Sequence, residues 1–495
     1  YFLFPQCPEF PSVPEEEKEK RRVFLKGRKI KMKLNQFDAL SILNAGLSTG
    51  ADYAEIYLQD SQSERISRQY RKVRSLSKGR TCGCGIRLRK GTKMVYGYTS
   101  DLSLSSLVRL AKELSLGFDG DRRKEISTRT EKKVIDLTPR KVPFSAWPRE
   151  KKREYLKKGE DAAFSCSSLI KDVSVSLLEE ESGIEVYNSD GICCKRHQPF
   201  VRLSVLATAS NGTEFQSSFD APSKREGLEL LQETDFPGRC LEQAKTAVAL
   251  LSAPYGPSGE RPVVLGNGWG GVLFHEACGH PLEGVAISHH ESPFTGKLGE
   301  KVASDVVNAF DDGTIVNGWG TISVDDEGHL PSKNQLIKDG VLVSYRLDRD
   351  NAGRLSREAT GACRRQNYKY APTTRRTNTY IGKGKSKKED IIASVKNGIY
   401  CKAFSGGQVN PTTDQFLFTS DVAYLIKDGK LDHLIKPVTL TGYGYEILKN
   451  ILMVGDDLEL APGICGAASG NIPVSVGQPT LLISHRLVGG KEEQK

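Results

Sequence analysis

Asp-Gly turn signals punctuate the second half of the chain: Asp311-Asp312-Gly313, Asp325-Asp326-Glu327-Gly328, Asp339-Gly340 and Asp428-Gly429. They leave room only for short segments between them, and short strands at close spacing predict a β-rich sandwich or barrel. The first half reads differently. From Leu34 to about Gly46 the apolar positions Phe37, Leu40, Ile42, Leu43 and Leu47 suit a helix. Strand-like runs follow at 54–58, 85–88 and 94–98 with Gly- and Ser-rich turns between them, and 102–116 returns to helical periodicity. Pro139, Pro143 and Pro148 mark a connector. Strands are expected over 173–178, 184–187 and 200–207, with a turn at Asn188-Ser189-Asp190-Gly191, and then a helix over 222–253. The fold expected is α+β. An N-terminal mixed α/β domain spans 34–240, and a β-rich, sandwich- or barrel-like C-terminal domain carrying an HExxxH helix spans 241–490. Residues 1–33, mixed in charge and poor in apolar residues after Phe10, read as a disordered tail, and 491–495 as a second tail.

Composition narrows the function classes. With 495 residues, 38% hydrophobic and 27% charged, the chain is neither disordered throughout nor collagen-like nor a coiled-coil rod. No apolar run approaches the ~20 residues of a membrane-spanning helix, so no membrane partner is expected. The start, Tyr1-Phe2-Leu3-Phe4-Pro5, does not read as an intact signal peptide. Eleven cysteines are too sparse for a disulfide framework, and the number is odd, which suggests a reducing, cytoplasmic compartment. The net charge of +10 is uneven: residues 1–160 hold 36 Lys+Arg and 20 Asp+Glu (+16), the remainder 35 and 41 (−6). The basic residues are scattered and not interleaved with stacking aromatics, so they read as solvated surface rather than a nucleic-acid track.

Arg261 to Gly284 is the most informative segment. Pro262 to Leu265 reads as a strand, Gly266-Asn267-Gly268-Trp269-Gly270-Gly271 as a turn, and Val272 to His280 as a helix. The glycines fit G-x-G-x-x-G. About 20 positions on, however, a dinucleotide fold needs a buried strand with an acidic residue, and this chain has Ile287-Ser288-His289-His290-Glu291-Ser292-Pro293. A tight strand-to-helix turn is the better reading. His275-Glu276-x-x-x-His280 is a rarer pattern, in a chain with 8 His. Neutral imidazole binds Zn²⁺ well, and a neighbouring Glu can act as a base. The zincin pattern spaces its two His by four; here they are five apart. Residues i and i+5 of a regular α-helix point about 140° apart and cannot share an ion. A π-bulge would bring them together, and Gly279 would let the backbone distort at low cost, so a widened or kinked turn is expected. A third ligand could come from Glu283, His289, His290, Cys278 or a distant Cys. Cys465 stands out because Gly463 and Gly466 flank it, whereas His289 and His290 read as surface.

These residues resemble the TldD/PmbA metalloprotease family. Gly271 to Gly284 matches that family's H-E-A-x-G-H-x-L-E core. The likeness extends from Asp52-Tyr53-Ala54-Glu55 through Phe310 to Gly313, Thr377-Asn378-Thr379-Tyr380, Pro462-Gly463-Ile464-Cys465-Gly466 and Gly477-Gln478-Pro479-Thr480, roughly over 36–490. The resemblance implies a zinc metallopeptidase of the catalytic, TldD-like type. His275, His280 and Cys465 would be the zinc ligands and Glu276 the general base. Such an enzyme would cut small or unfolded peptides inside the cell, as a homodimer or paired with a related subunit that lacks the metal motif. Glu283, three residues past His280, is a candidate partner orienting that ring, or else a helix-end carboxylate. The substrate is expected to lie extended along a sheet edge. No oxyanion donor can be named: Tyr443 and Tyr445 are candidates, and a structural role suits them better. Two positions depart from the family: Ala467 stands where Lys is usual, and Arg376 where Met is frequent. The alternative, a catalytically silent peptide-binding subunit, is disfavoured because His275, Glu276 and His280 are all intact. A nucleotide or nucleic-acid binder ranks last.

Overall fold

The computed structural model describes residues 34–489 apart from 123–124, 128–129 and 410–414, so the two expected tails lie outside the described residues. Helix α1 (Gln36–Gly46) starts at a reciprocal cap: Asn35 accepts from Asp38 N, and Asp38 accepts from Asn35 N. Strands β1 (Tyr53–Gln69) and β2 (Lys72–Lys90) then form one long hairpin, paired from Tyr53–Arg89 to Gln69–Lys72. Short strands were expected here, and two causes hid the long ones. The turn residues Tyr70 and Arg71 both have positive φ, 52° and 59°, where Gly or Asn would have signalled a hairpin. On the covered face, buried Ile66 and the buried Arg68–Glu160 ion pair replace a row of apolar residues, so alternation is faint.

Strand β3 (Lys93–Thr99) and helices α2 (Leu104–Ser115) and α3 (Arg149–Phe164) follow. Next come β4 (Ile170–Asn188), β5 (Ile192–Ser210) and β6 (Phe215–Asp220). The helix expected over 222–253 is divided into a strand at Ser223–Lys224, a short helix at Glu229–Glu233 and α4 (Phe236–Ser252). Asp235 caps a new helix through Gly238 N, and Pro237 sits in the first turn, where its missing N–H costs nothing. An eight-stranded sheet runs β3-β2-β1-β4-β5, with β6 and two short strands on β5. Helices α3 and α4 pack on it around Ile66, Leu156, Leu177, Leu203, Phe236 and Ala244.

The C-terminal region is the β-rich body expected. Strands β7 (Gly259–Leu265), β8 (Ala309–Asp312), β9 (Lys333–Lys338) and β10 (Asn378–Ile381) come first. Then follow β11 (Asn397–Val409), β12 (Gln415–Lys427), β13 (Val438–Tyr443), β14 (Glu459–Ala467), β15 (Gly470–Gln478) and β16 (Leu481–Gly489). The ring β11-β7-β16-β13-β12 closes because β11 pairs with both β7 and β12, forming a barrel. A second, six-stranded sheet runs from Val341–Leu342 through β9, β8, β10 and β15 to β14, which is its outer strand.

Several Asp-Gly signals are more than solvent turns. Asp311 is fully buried and accepts from Thr377 N (3.2 Å) and Thr379 Oγ1 (2.7 Å). A buried ion network joins the two halves. Arg87 on β2 lies between Glu55 (2.6 Å) and Glu327 (2.5 Å), while Arg365 reaches Glu55 (2.6 Å) and Asp326 (3.5 Å). Among the described residues, no helix is long and apolar enough to cross a membrane.

Candidate metal centre

β7 leads from the barrel core into the glycine-rich turn. Gly271 lies against the backbone of Gly477 on β15, so a Cβ there would overlap that strand. Val272, Leu273 and Phe274 make a helical turn buried with Val263, Leu265, Phe418 and Ile483, which anchors the residues after them. His275–Gly279 forms a π turn in which His280 N donates to His275 O. This is the widening that the five-residue spacing requires, and it leaves the two imidazole rings 5.1 Å apart. Gly279 has φ −68° and ψ −46°, ordinary helical values, so its conformational freedom is not used. Its role is spatial: the Arg376 guanidinium passes where a Cβ would stand.

Cys465 arrives from β14. Trp319 Nε1 donates to Gly463 O (2.8 Å), and Arg375 Nη2 donates to Cys465 O (2.5 Å), which holds that strand in place. Cys465 Sγ lies 3.3 Å from His280 Nε2, and the candidate ligand atoms of His275, His280 and Cys465 lie within 4.8 Å of one another. His275 is fully buried, and neither of its ring nitrogens has a hydrogen-bond partner among the described residues. Leaving a buried polar group unsatisfied costs roughly 1–3 kcal/mol, a cost an ion on one nitrogen would remove. Two imidazoles and a thiolate therefore fit a metal ion.

The charges agree with the geometry. Burial, and then Arg376, hold the His275 pKa well below its usual value, so the ring is neutral with a lone pair to offer. Burial and Arg376 also push His280 down, but Cys465 and Glu283 outweigh them and raise it to about 10. Burial opposes ionisation of Cys465, yet His280 brings its pKa below the ordinary thiol value. Glu283 is held below the usual range, against burial, by His280 and then Arg376. Its Oε1 is 3.3 Å from His280 Nδ1 and 3.3 Å from Arg376 Nε. Glu276 is partly exposed, with Oε2 3.9 Å from His280 Nε2.

The remaining candidates lie elsewhere. His289 and His290 are exposed, and Cys278 is buried with its thiol donating to Gly444 O (3.5 Å). Tyr443 is exposed and its hydroxyl accepts from Gln415 Nε2 (3.2 Å), while the side chain of Tyr445 lies outside the described residues. Asp325, Glu327 and His329 form a second close group. There Asp325 accepts from Glu327 N, His329 N and Cys363 N, and Glu327 from Arg87 and Arg349 N, so protein donors already surround both carboxylates. Sequence reasoning missed Arg375, Arg376 and Trp319 as supports of the centre. The one signal available was Arg376, where the resemblance leads one to expect Met.

A barrel strand that runs into a His-Glu-x-x-x-His π turn, met by a cysteine from a distant edge strand, thus forms a candidate metal centre. Models of the PmbA/TldA metallopeptidase match the chain in three blocks: domain 1 over 54–116, the central domain over 142–251 and the C-terminal domain over 258–490. A metalloprotease TldD homolog of Haemophilus influenzae is 37% identical over 467 residues, covering 92% of this chain and 95% of the relative. A metalloprotease of Methanothermobacter thermautotrophicus is 31% identical over 454 residues, covering 92% and 99%. The crystal structure of TldE from Thermococcus kodakarensis shares the fold, with a TM-score of 0.73 at 20% identity over 92% of this chain and 100% of that one. The chain belongs to the PmbA/TldD metallopeptidase family.

Proposed function

We propose that the protein is a zinc-dependent metallopeptidase that hydrolyses small or unfolded peptides. In this reading His275, His280 and Cys465 hold the metal and Glu276 is the general base. The observation that carries it is the convergence of three ligand atoms within 4.8 Å around a buried His275 whose ring nitrogens have no protein partner. A nitrogen- and sulfur-rich donor set favours zinc over harder ions such as Mg²⁺. When bound, such an ion lowers the pKa of a water and polarises the scissile carbonyl. Glu276 Oε2 takes the proton from the attacking water and returns it to the leaving amine. Glu283 Oε1 holds His280 through Nδ1, which leaves Nε2 free for the ion.

The substrate lies extended along β14, whose outer side no described strand covers. Ser475 N donates to Thr377 O, so Ser475 turns its backbone away from β14. Its partner Pro462 therefore faces outward, as do Ile464 and Gly466 by alternation. The N–H and C=O of Ile464, turned away from β15, thus stand next to Cys465, where a peptide strand would pair with them. The protein acts as a homodimer or with a related subunit, and the likeness to a protein named TldE supports the second arrangement. Eleven cysteines in 495 residues are too sparse for a disulfide framework, which supports a cytoplasmic location.

Metal analysis of protein purified without added metal should find about one zinc per chain, and much less in Cys465→Ala. Glu276→Gln should keep the zinc and lose about 10²–10⁴-fold in peptide turnover. Normal turnover in Glu276→Gln removes the base, unchanged zinc in Cys465→Ala removes that ligand, and a folded wild type without zinc favours the silent subunit.

A further inference from the structure

Arg375 and Arg376 are consecutive and almost wholly buried, at 0% and 1% exposure. A guanidinium cannot shed its charge, so burying two in a row is costly unless both are well partnered. Their partners are the residues that carry the candidate ligands, or the loops that hold them. Arg376 Nη1 donates to His275 O, at the start of the π turn. Arg376 Nε donates to Glu283 Oε1 at 3.3 Å, and that same oxygen lies 3.3 Å from His280 Nδ1. Arg375 Nη2 donates to Cys465 O, and its Nη1 to Ser469 Oγ (2.9 Å) and Gly470 O (2.8 Å), in the turn after β14. The dipeptide is itself fixed: Arg364 donates to Arg376 O and to Pro473 O (2.9 Å) on β15.

We infer that Arg376 is a positioning residue for the metal centre, tying the π turn to Glu283 and, through Glu283, setting the His280 ring. The inference rests on the reading of His275, His280 and Cys465 as ligands. The two guanidinium anchors are one peptide unit apart, so the π turn and β14, far apart in sequence, are held at a fixed separation by neighbouring residues. Methionine fills a similar volume but donates nothing to His275 O or Glu283. Lysine offers one compact charge and cannot reproduce the fork that reaches both acceptors. Gly279 completes the arrangement, since any side chain there would occupy the guanidinium's place.

The test compares wild type, Arg376→Met and Arg376→Lys as full-length chains, stripped of metal and then titrated with Zn²⁺ against a competing chelator and with Co²⁺. Partners of metal-ligating histidines are typically worth 10–100-fold in metal affinity. Arg376→Met should weaken Zn²⁺ binding by about that factor and shift the visible absorption bands of the Co²⁺ form, with Arg376→Lys in between. Melting of the metal-free proteins reports folding separately. A lower melting temperature with unchanged Zn²⁺ affinity and an unchanged Co²⁺ spectrum would mean that Arg376 only stabilises the fold, and would overturn the inference. Should Arg376→Met not fold, Glu283→Gln takes its place, with the same readings and the same overturning result. A wild type that takes up no Co²⁺ refutes the ligand assignment and this inference with it. Uptake by wild type beside an unchanged Arg376→Met refutes this inference alone.

Discussion

Gly279 sits where two effects oppose each other. Its torsions are helical, so alanine there should gain roughly 0.5–1 kcal/mol from backbone propensity. The Arg376 guanidinium occupies the space of the added methyl, and such overpacking costs about 1–3 kcal/mol. Gly279→Ala is therefore expected to lose stability in the wild-type background and to lose less, or gain, in Arg376→Met. Urea unfolding of the four metal-free proteins closes the cycle, and equal losses in both backgrounds would show that the contact is not the cause. Glu226 offers a second single-residue test. Burial, against Lys224 and with help from Glu229 and Glu233, raises its pKa to about 7. The folded state thus holds this proton more tightly than the unfolded chain. The stability it contributes is complete below about pH 4.5 and falls as the pH rises through 7. Glu226→Gln should gain on the order of 1 kcal/mol at pH 8 and little at pH 5. The same gain at both pH values would rule out the charge as its source.

At the level of elements, β14 explains how two prolines fit into one ladder. Pro462 and Pro473 both lie in pairs whose backbone groups point away from each other, so no ladder hydrogen bond is lost. The same geometry leaves the Ile464 N–H facing outward beside Cys465. Ile464→Pro would keep the β14–β15 pairing and remove that donor. If peptides add to this edge, KM should rise by roughly 2–10-fold, the worth of one hydrogen bond, with kcat changing less. An unchanged KM would place the substrate elsewhere. The elements also show what a sequence can disclose. The π turn was readable because His275 and His280 are close along the chain and helix geometry admits few ways for them to meet. The β1–β2 hairpin was not, because its covered face is held by Ile66 and an ion pair rather than by regular apolar alternation, and its turn uses Tyr70 and Arg71. The division of 222–253 was legible in part: Pro237 was visible, but Asp235 became a cap only with the chain direction known.

For the whole molecule, the decisive contacts are those between distant residues. Arg87 and Glu327 are 240 residues apart, and nothing local pairs them. Asp326 and Glu327 belong to what reads as a polar turn; in the fold Glu327 meets Arg87 of β2, and Asp326 meets Arg196 of β5 and Arg365. Arg87→Met should strand part of this charge and cost about 3 kcal/mol in denaturant unfolding, since breaking a buried pair leaves its partner unpaired. A loss below 1 kcal/mol would mean that Arg365 and Arg196 secure the junction without Arg87. The same limit applied to the metal centre. The two histidines could be read from their spacing, Cys465 stood out by its flanking glycines and took its ligand role from a family likeness, and the place of Arg376 between them shows only where three remote segments abut.

The distance between the two arms of the centre also bears on time. Cys465 follows His280 by 185 residues. At ~5–20 residues per second of synthesis, the π turn leaves the ribosome on the order of 10–40 s before the strand that completes it. On the proposed ligand set, a growing or prematurely ended chain then carries two histidines and no third ligand. Cutting power would switch on only once almost the whole polypeptide has been made, so unfinished copies would be harmless.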